Sequence, residues 1–276
     1  MVVRAYCRTG RLPGVRMSRG ATMLHKRERF ERSDVSKSMA GGTALAVGVL
    51  IFLVVGVAIG FAWARSRSGI DSSLSDAGLT SAVASQAAVA GPGDGYTAST
   101  DTFTNVLLLT VDDLDAESPT LTSAQLLSIN VSAGTGTLVS LPLDTQLTTE
   151  AGNTTLAALF ASSGASACIA PVAAATNTQL SHAIVATSEI WDKLASYKGS
   201  GVHAILGSDS ELISSIKTDM DNDQLMDVAE LVQSTGVANW TRADAPVSAG
   251  SLDDGTATSV IDATQLDAQI GTLVAA

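Results

Sequence analysis

The chain has 276 residues, 46% of them hydrophobic and only 4% aromatic, so its core must be built from Ala, Val, Leu and Ile. Its net charge of −11 hides an asymmetry: residues 1–37 carry ten Lys or Arg against three acids, whereas residues 71–276 carry four (Lys193, Lys198, Lys217, Arg242) against 24 acids. A region that acidic repels phosphate, which excludes nucleic acid as a partner of the folded part.

Residues 1–42 read as a basic cytoplasmic tail, with Met17 and Met23 as alternative starts. Residues 43–64 read as a transmembrane helix. Ala44 to Ala64 is 21 residues without a charge, which at about 1.5 Å per residue spans the roughly 30 Å hydrocarbon core. The apolar region of a cleaved signal peptide is shorter, about 7–15 residues, so an uncleaved anchor fits better. Trp63 falls at the outer edge, where an indole prefers the interface. The basic residues before the helix, against Arg65 and Arg67 after it, hold the N-terminus inside. The expected location is the cell membrane, single pass, with the C-terminal domain outside. Cys7 and Cys168 then lie on opposite sides and cannot pair. Cys168, in an Ala/Ser-rich stretch without a basic neighbour, reads as a buried inert thiol.

Residues 65–102 read as a Ser/Ala/Gly-rich stalk, with GPGDG at 91–95 and a helical turn or two over 77–89. Residues 103–276 read as one extracytoplasmic domain. NVLLLTV (105–111) is a continuous apolar run, the mark of a strand covered on both faces. AQLLSIN (124–130) and TLVSLP (137–142) are further strands joined by a glycine-bearing hairpin. TLAALFASSG (155–164) and ACIAPVAAA (167–175) are helical, punctuated by Gly164 and Pro171. HAIVAT (182–187) is a strand, 188–199 and 222–235 are helices, and the rest is turn-rich with a terminal helix around 263–274. Strands followed by mixed helices and strands predict an α/β fold, a three-layer α/β/α domain with a mixed central sheet.

In order and spacing, these segments resemble the LytR–CpsA–Psr family of envelope proteins. NVLLLTVD (105–112) is similar to the family's first strand and its closing acid. LLSINVSAGTGTLVSLPLDT (126–145) is similar to its strand, hairpin and strand ending in a Pro-Arg-Asp-Thr-like turn. LSHAIVATSEIWDKLASYKGSGV (180–202) is similar to its later strand and helix. The resemblance is clearest over 103–202. It implies an extracytoplasmic phosphotransferase moving glycopolymer from a polyprenyl diphosphate carrier to the cell wall, with Mg²⁺ or Mn²⁺ and clustered arginines on the diphosphate. Asp112 and Asp144 match acidic positions and are the candidate ligand-binding residues. The matching arginines are absent: Leu143 stands before Asp144, and TLTS (120–123) stands where an Arg-Ser-Asp-Thr-like segment is expected. Without guanidinium forks a diphosphate has little to hold it, so no catalytic residue is assigned. The favoured reading is a degenerate, non-catalytic binding or scaffold protein. Its expected partners are the membrane, a polyprenyl-linked glycopolymer or an active paralogue. The alternative is an active transferase that recruits basic groups elsewhere.

Another alternative is a calcium-stabilised surface module. Asp219, Asp221, Asp223, Asp227 and Glu230 fall at calcium-loop spacing, but Gln224 stands where the loop needs glycine, and an acid-rich helix start is the plainer reading. His182 and His203 have no ligand partners at metal spacing, and no metal-binding residue is assigned. Ser140 lacks a nucleophile-elbow setting. Asp113, Asp115 and Glu117 crowd the loop after the first strand, where α/β sheets receive ligands and where solvated loops also occur.

Overall fold

The computed structural model describes residues 75–189, 216–235 and 239–276. The basic tail, the membrane segment 43–64, residues 190–199 of the expected helix and His203 lie outside these.

The described chain begins with α1 (Ala77–Ala84) and β1 (Tyr96–Ala98), followed by β2 (Phe103–Val111), β3 (Leu121–Asn130) and β4 (Thr135–Leu141). A small hairpin, β5 (Gln146–Thr149) and β6 (Gly152–Thr155), leads into α2 (Leu156–Thr176) and β7 (His182–Thr187). Then come β8 (Ile216–Thr218), α3 (Asn222–Thr235), β9 (Trp240–Asp244), β10 (Val247–Ser251), β11 (Ala257–Ile261), α4 (Ala263–Ile270) and β12 (Leu273–Ala275).

Six strands form the central sheet in the order β8-β7-β2-β3-β4-β9. It is mixed, because β7 pairs with β2 and β9 with β4 in parallel, while the other neighbours are antiparallel. The apolar run of β2 does what its composition predicts: residues 105–111 are all buried, which requires cover on both faces. Helices α1, α2 and α4 pack together as one layer, and α3 covers β3 and β4. The domain is α/β with the sheet between helical layers.

Helix α2 is long and apolar enough to cross a membrane by length and composition, yet its apolar residues serve the domain core. Leu156, Phe160, Ile169 and Val172 are buried in the same cluster as the sheet. Gly164, at φ 78°, breaks the helix into the two segments expected from sequence, while the chain stays helical through Pro171. Thr155 caps its start, and Asn177, in the left-handed region at φ 51°, ends it.

Two expectations need correction. Residues 75–98 are part of the domain rather than a stalk. Leu79 is 3% exposed, the Gln86 amide bonds both the N–H and the C=O of Leu180 at 2.8 Å, and β1 pairs with β12. Small residues suit this packing as well as a linker, because they let α1 approach the equally small side chains of α2; Gly78 lies against Ser166. The C-terminal region holds more strand than expected: β9 completes the sheet, and β10 and β11 form a hairpin turned at Gly255, φ 85°. The terminal helix stops at Gly271, φ 86°, after which the chain becomes β12.

Candidate functional site

Strands β2, β4, β7 and β9 all run the same way, so their carboxyl ends emerge along one edge of the sheet. Asp112 follows β2 directly, Asp144 lies just beyond β4, and Asp244 ends β9. The structure therefore brings the two sequence-predicted acids to the same edge, the one at which α/β sheets receive ligands.

Both carboxylates accept hydrogen bonds from the chain's own donors. Asp112 Oδ1 accepts from Thr120 N at 2.7 Å and from Asp113 N at 2.8 Å. The Thr120 N–H, ahead of the other contacts, holds the Asp112 carboxyl below its ordinary value. Asp144 Oδ2 accepts from Ser259 Oγ at 3.0 Å, and its carbonyl accepts from Ser259 N at 3.1 Å, which ties the turn after β4 to β11. Asp115 N donates to Asp113 Oδ1 at 2.9 Å, so the acidic loop closes on itself.

The basic side is sparse. Lys217 is at this end of the sheet, where its Nζ donates to the Leu114 carbonyl at 3.1 Å. Arg242, exposed, lies opposite Leu138 in mid-strand on β9. No other Lys or Arg occurs among the described residues. Leu143, at the expected arginine position, packs against the core, and its carbonyl accepts from Ala157 N at 2.9 Å. The TLTS segment also serves the fold: Leu121 is 5% exposed, and Thr122 Oγ1 donates to the Thr110 carbonyl at 3.0 Å.

Among the described residues no three His, Cys, Asp or Glu side chains converge as a metal-holding group. Asp112 bonds through Oδ1 and Asp144 through Oδ2, so Asp112 Oδ2 and Asp144 Oδ1 are the oxygens that would meet Mg²⁺ or Mn²⁺ at this edge.

The calcium-loop reading is corrected by Asp219. Its Oδ2 lies 2.9 Å from His182 Nδ1, and its Oδ1 accepts from Ala183 N at 2.6 Å. A carboxylate turned into the sheet cannot head a surface loop around an ion. Asp221 instead forms a reciprocal cap on α3: Gln224 N donates to Asp221 Oδ1 at 2.8 Å, and Asp221 N to Gln224 Oε1 at 3.0 Å. Gln224, the residue that spoils the calcium spacing, is the one that completes the cap.

Sequence reasoning missed Lys217, Asp244 and Ser259 at the carboxyl edge. Nothing local to Lys217 signals that β8 would pair with β7. For Ser259 a signal was available, since Asp-Gly at 254–255 is a turn pair and marks the β10–β11 hairpin.

In fold, the chain is similar to several solved structures. TagV of B. subtilis matches at 10% identity over 63% of this chain and 96% of that one, with a TM-score of 0.45. A protein described as the transcriptional regulator YvhJ of Bacillus subtilis matches at 11% over 63% and 96%, TM-score 0.48. TagT bound to LI-WTA matches at 12% over 62% and 89%, TM-score 0.43. TagV and TagT are LytR–CpsA–Psr proteins; at these identities the likeness is one of fold and gives no residue here a role. No protein-family model matches the chain. No curated protein matches it either.

Proposed function

We propose that this is a membrane-anchored, extracytoplasmic protein of the LytR–CpsA–Psr type, acting in cell-envelope glycopolymer assembly without catalysing transfer. The anchor rests on the uncharged stretch 44–64 and the basic tail before it. The non-catalytic reading is carried by one observation: Leu143 faces the core where the resemblance calls for an arginine, beside a sheet edge lined with Asp112, Asp144 and Asp244. A pyrophosphate leaving group gathers negative charge as it departs, and an acidic edge with one described lysine opposes that charge.

In this role the domain holds a polyprenyl-linked glycopolymer or an active paralogue at the membrane surface. Full-length protein in nanodiscs, supplied with polyprenyl diphosphate-linked saccharide and Mg²⁺ or Mn²⁺, is expected to give no release of the diphosphate carrier. Sustained turnover that disappears in Asp144→Ala would overturn the proposal and establish an active transferase.

A further inference from the structure

The hairpin of β10 and β11 has two outer edges, and the chain uses one of them. The bonds from Asp262 N to the Pro246 carbonyl at 2.8 Å and from Leu252 N to the Thr256 carbonyl at 2.9 Å mark the ends of its ladder. With Val247 opposite Ile261 and Ala249 opposite Ser259, alternation turns the N–H and C=O groups of Val247, Ala249 and Ser251 outward from β10. By the same alternation Ser259 points outward from β11, where its N–H donates to the Asp144 carbonyl at 3.1 Å and it bridges Thr145. The outward groups of β10 have no partner among the described residues.

Val247, Ala249 and Ser251 are all exposed. No residue of β10 is charged or a proline, the usual guards of an open edge. Val247 and Val260 leave 45% and 37% of their surface in solvent, so the hairpin offers apolar contact beside its hydrogen-bonding groups. The two ends of the edge are acidic. Asp244 precedes the strand and Asp253 and Asp254 follow it, all exposed, and Arg242 on β9 is the one basic residue near them among the described residues. Asp254 serves the turn by accepting from Thr256 N at 2.8 Å.

We infer that β10 is the docking strand for an extended peptide of a partner protein, with an uncharged β-branched centre and Lys or Arg at both ends, which adds to the hairpin as a further strand. Val247, Ala249 and Ser251 each give it one N–H and one C=O, and the flanking cations meet Asp244 and Asp253. A second copy of this chain is the competing occupant. Pairing of β10 with itself sets Asp244 against Asp253 and Asp254 when antiparallel and acid against like acid when parallel, so either direction is opposed. An acidic peptide meets the same repulsion. Because β11 lies between this edge and Asp144, the inference stands whether or not the carboxyl edge catalyses transfer.

The test follows the fluorescence anisotropy of a labelled peptide, Thr-Val-Thr-Val-Thr with two lysines at each end, added to the full chain in phosphatidylcholine nanodiscs. The expected dissociation constant is on the order of 100 µM at low salt, and the same centre flanked by glutamates should not bind. Asp253→Asn should weaken the lysine peptide about twofold or more at low salt and leave it unchanged in about 0.5 M NaCl. Ala249→Pro removes an outward N–H that the β10–β11 ladder does not use, at an edge position that accepts proline, and should weaken binding about tenfold or more. Methylation of the peptide's alternate backbone nitrogens blocks the same pairing on the unchanged chain, so it decides the matter if the proline variant does not fold. Binding that is absent up to about 5 mM, equal for the glutamate peptide, or insensitive to the blocked pairing overturns the inference. So does dimerisation of the full chain in sedimentation that Ala249→Pro abolishes, which assigns the edge to a second copy.

Discussion

Asp219 organises the start of β7 with one carboxylate, holding the His182 imidazole at 2.9 Å through Oδ2 and the Ala183 amide at 2.6 Å through Oδ1. Asp219 is 8% exposed, so truncating it strands a buried N–H as well as breaking the pair. Asp219→Ala should cost about 2–4 kcal/mol of folding stability, read as a lower urea midpoint. Because the residue serves the fold, the melting temperature of the wild-type chain should be the same in millimolar Ca²⁺ and in EDTA. A shift of several degrees with calcium would restore the ion-loop reading.

Gly136 and Trp240 make the corresponding contact at the other side of the sheet. A Cβ built on Gly136 would lie 2.6 Å from Trp240 Cη2 and 2.5 Å from Cε3, well inside contact distance. The indole covers a strand glycine and so joins β9 to β4. Gly136→Ala should destabilise by about 1–3 kcal/mol, the ordinary range for overpacking. The double variant Gly136→Ala with Trp240→Ala should lose less than the sum of the two single changes, because the clash and the cover are one interaction. Strict additivity in a denaturant cycle would show that the ring is not seated there.

The sheet was legible where burial dictates sequence. β2 is buried on both faces and reads as an apolar run from Val106 to Leu109, and β3 carries Leu126, Leu127 and Ile129 into the same core with Gln125 and Ser128 as its buried polar residues. Helix α3 was legible from its acid-rich start, where Asp221 caps the N–H of Gln224. Strands β9 and β10 were not, since Trp240, Arg242, Val247 and Ser248 are exposed or only half covered and leave no alternating pattern. The segment 75–98 was misread because Ala, Ser and Gly are equally the composition of a linker and of a closely packed helix pair. At the site, Asp112 and Asp144 could be placed from sequence because strand ends position them. The partners that occupy them, Thr120 and Ser259, depend on loop closure and on a hairpin 115 residues away.

Two acids should titrate with opposite signs. Burial raises Asp267 from 3.8, so its contribution to stability is fully present below that value and is lost as pH rises through the raised folded one. The Thr120 N–H lowers Asp112 from 3.8, so its contribution is present above 3.8 and is lost as pH falls through the lowered folded value. Asp267→Asn, which can keep the hydrogen bonds with Asn177 and Thr272, should therefore gain stability relative to wild type as pH rises from 4 toward neutrality, and Asp112→Asn should lose it. Urea midpoints at pH 4 and pH 7 for the two variants check this. Parallel trends would mean that one of the two environments is wrongly assigned.

Cys168 offers a readout of whether α2 stays closed beyond its break. Its side chain is fully buried, its Sγ donates to the Gly164 carbonyl at 3.5 Å, and burial pushes the thiol up to about 12. Thiolate is the reactive form, so at pH 8 only about one molecule in ten thousand carries it even where reagent could reach. In a full chain with Cys7→Ser, Ellman's reagent should label Cys168 only as fast as the domain opens, and labelling should become rapid once urea unfolds it. Gly164 sits at φ 78° with open space around its α-carbon, so Gly164→Ala strains the backbone without a steric clash. It should speed native labelling by loosening the second half of the helix while leaving the labelling rate in urea unchanged. Rapid labelling of the unsubstituted helix in buffer would mean that the segment holding Ile169 and Val172 leaves the core readily, and the packing described for it would not stand.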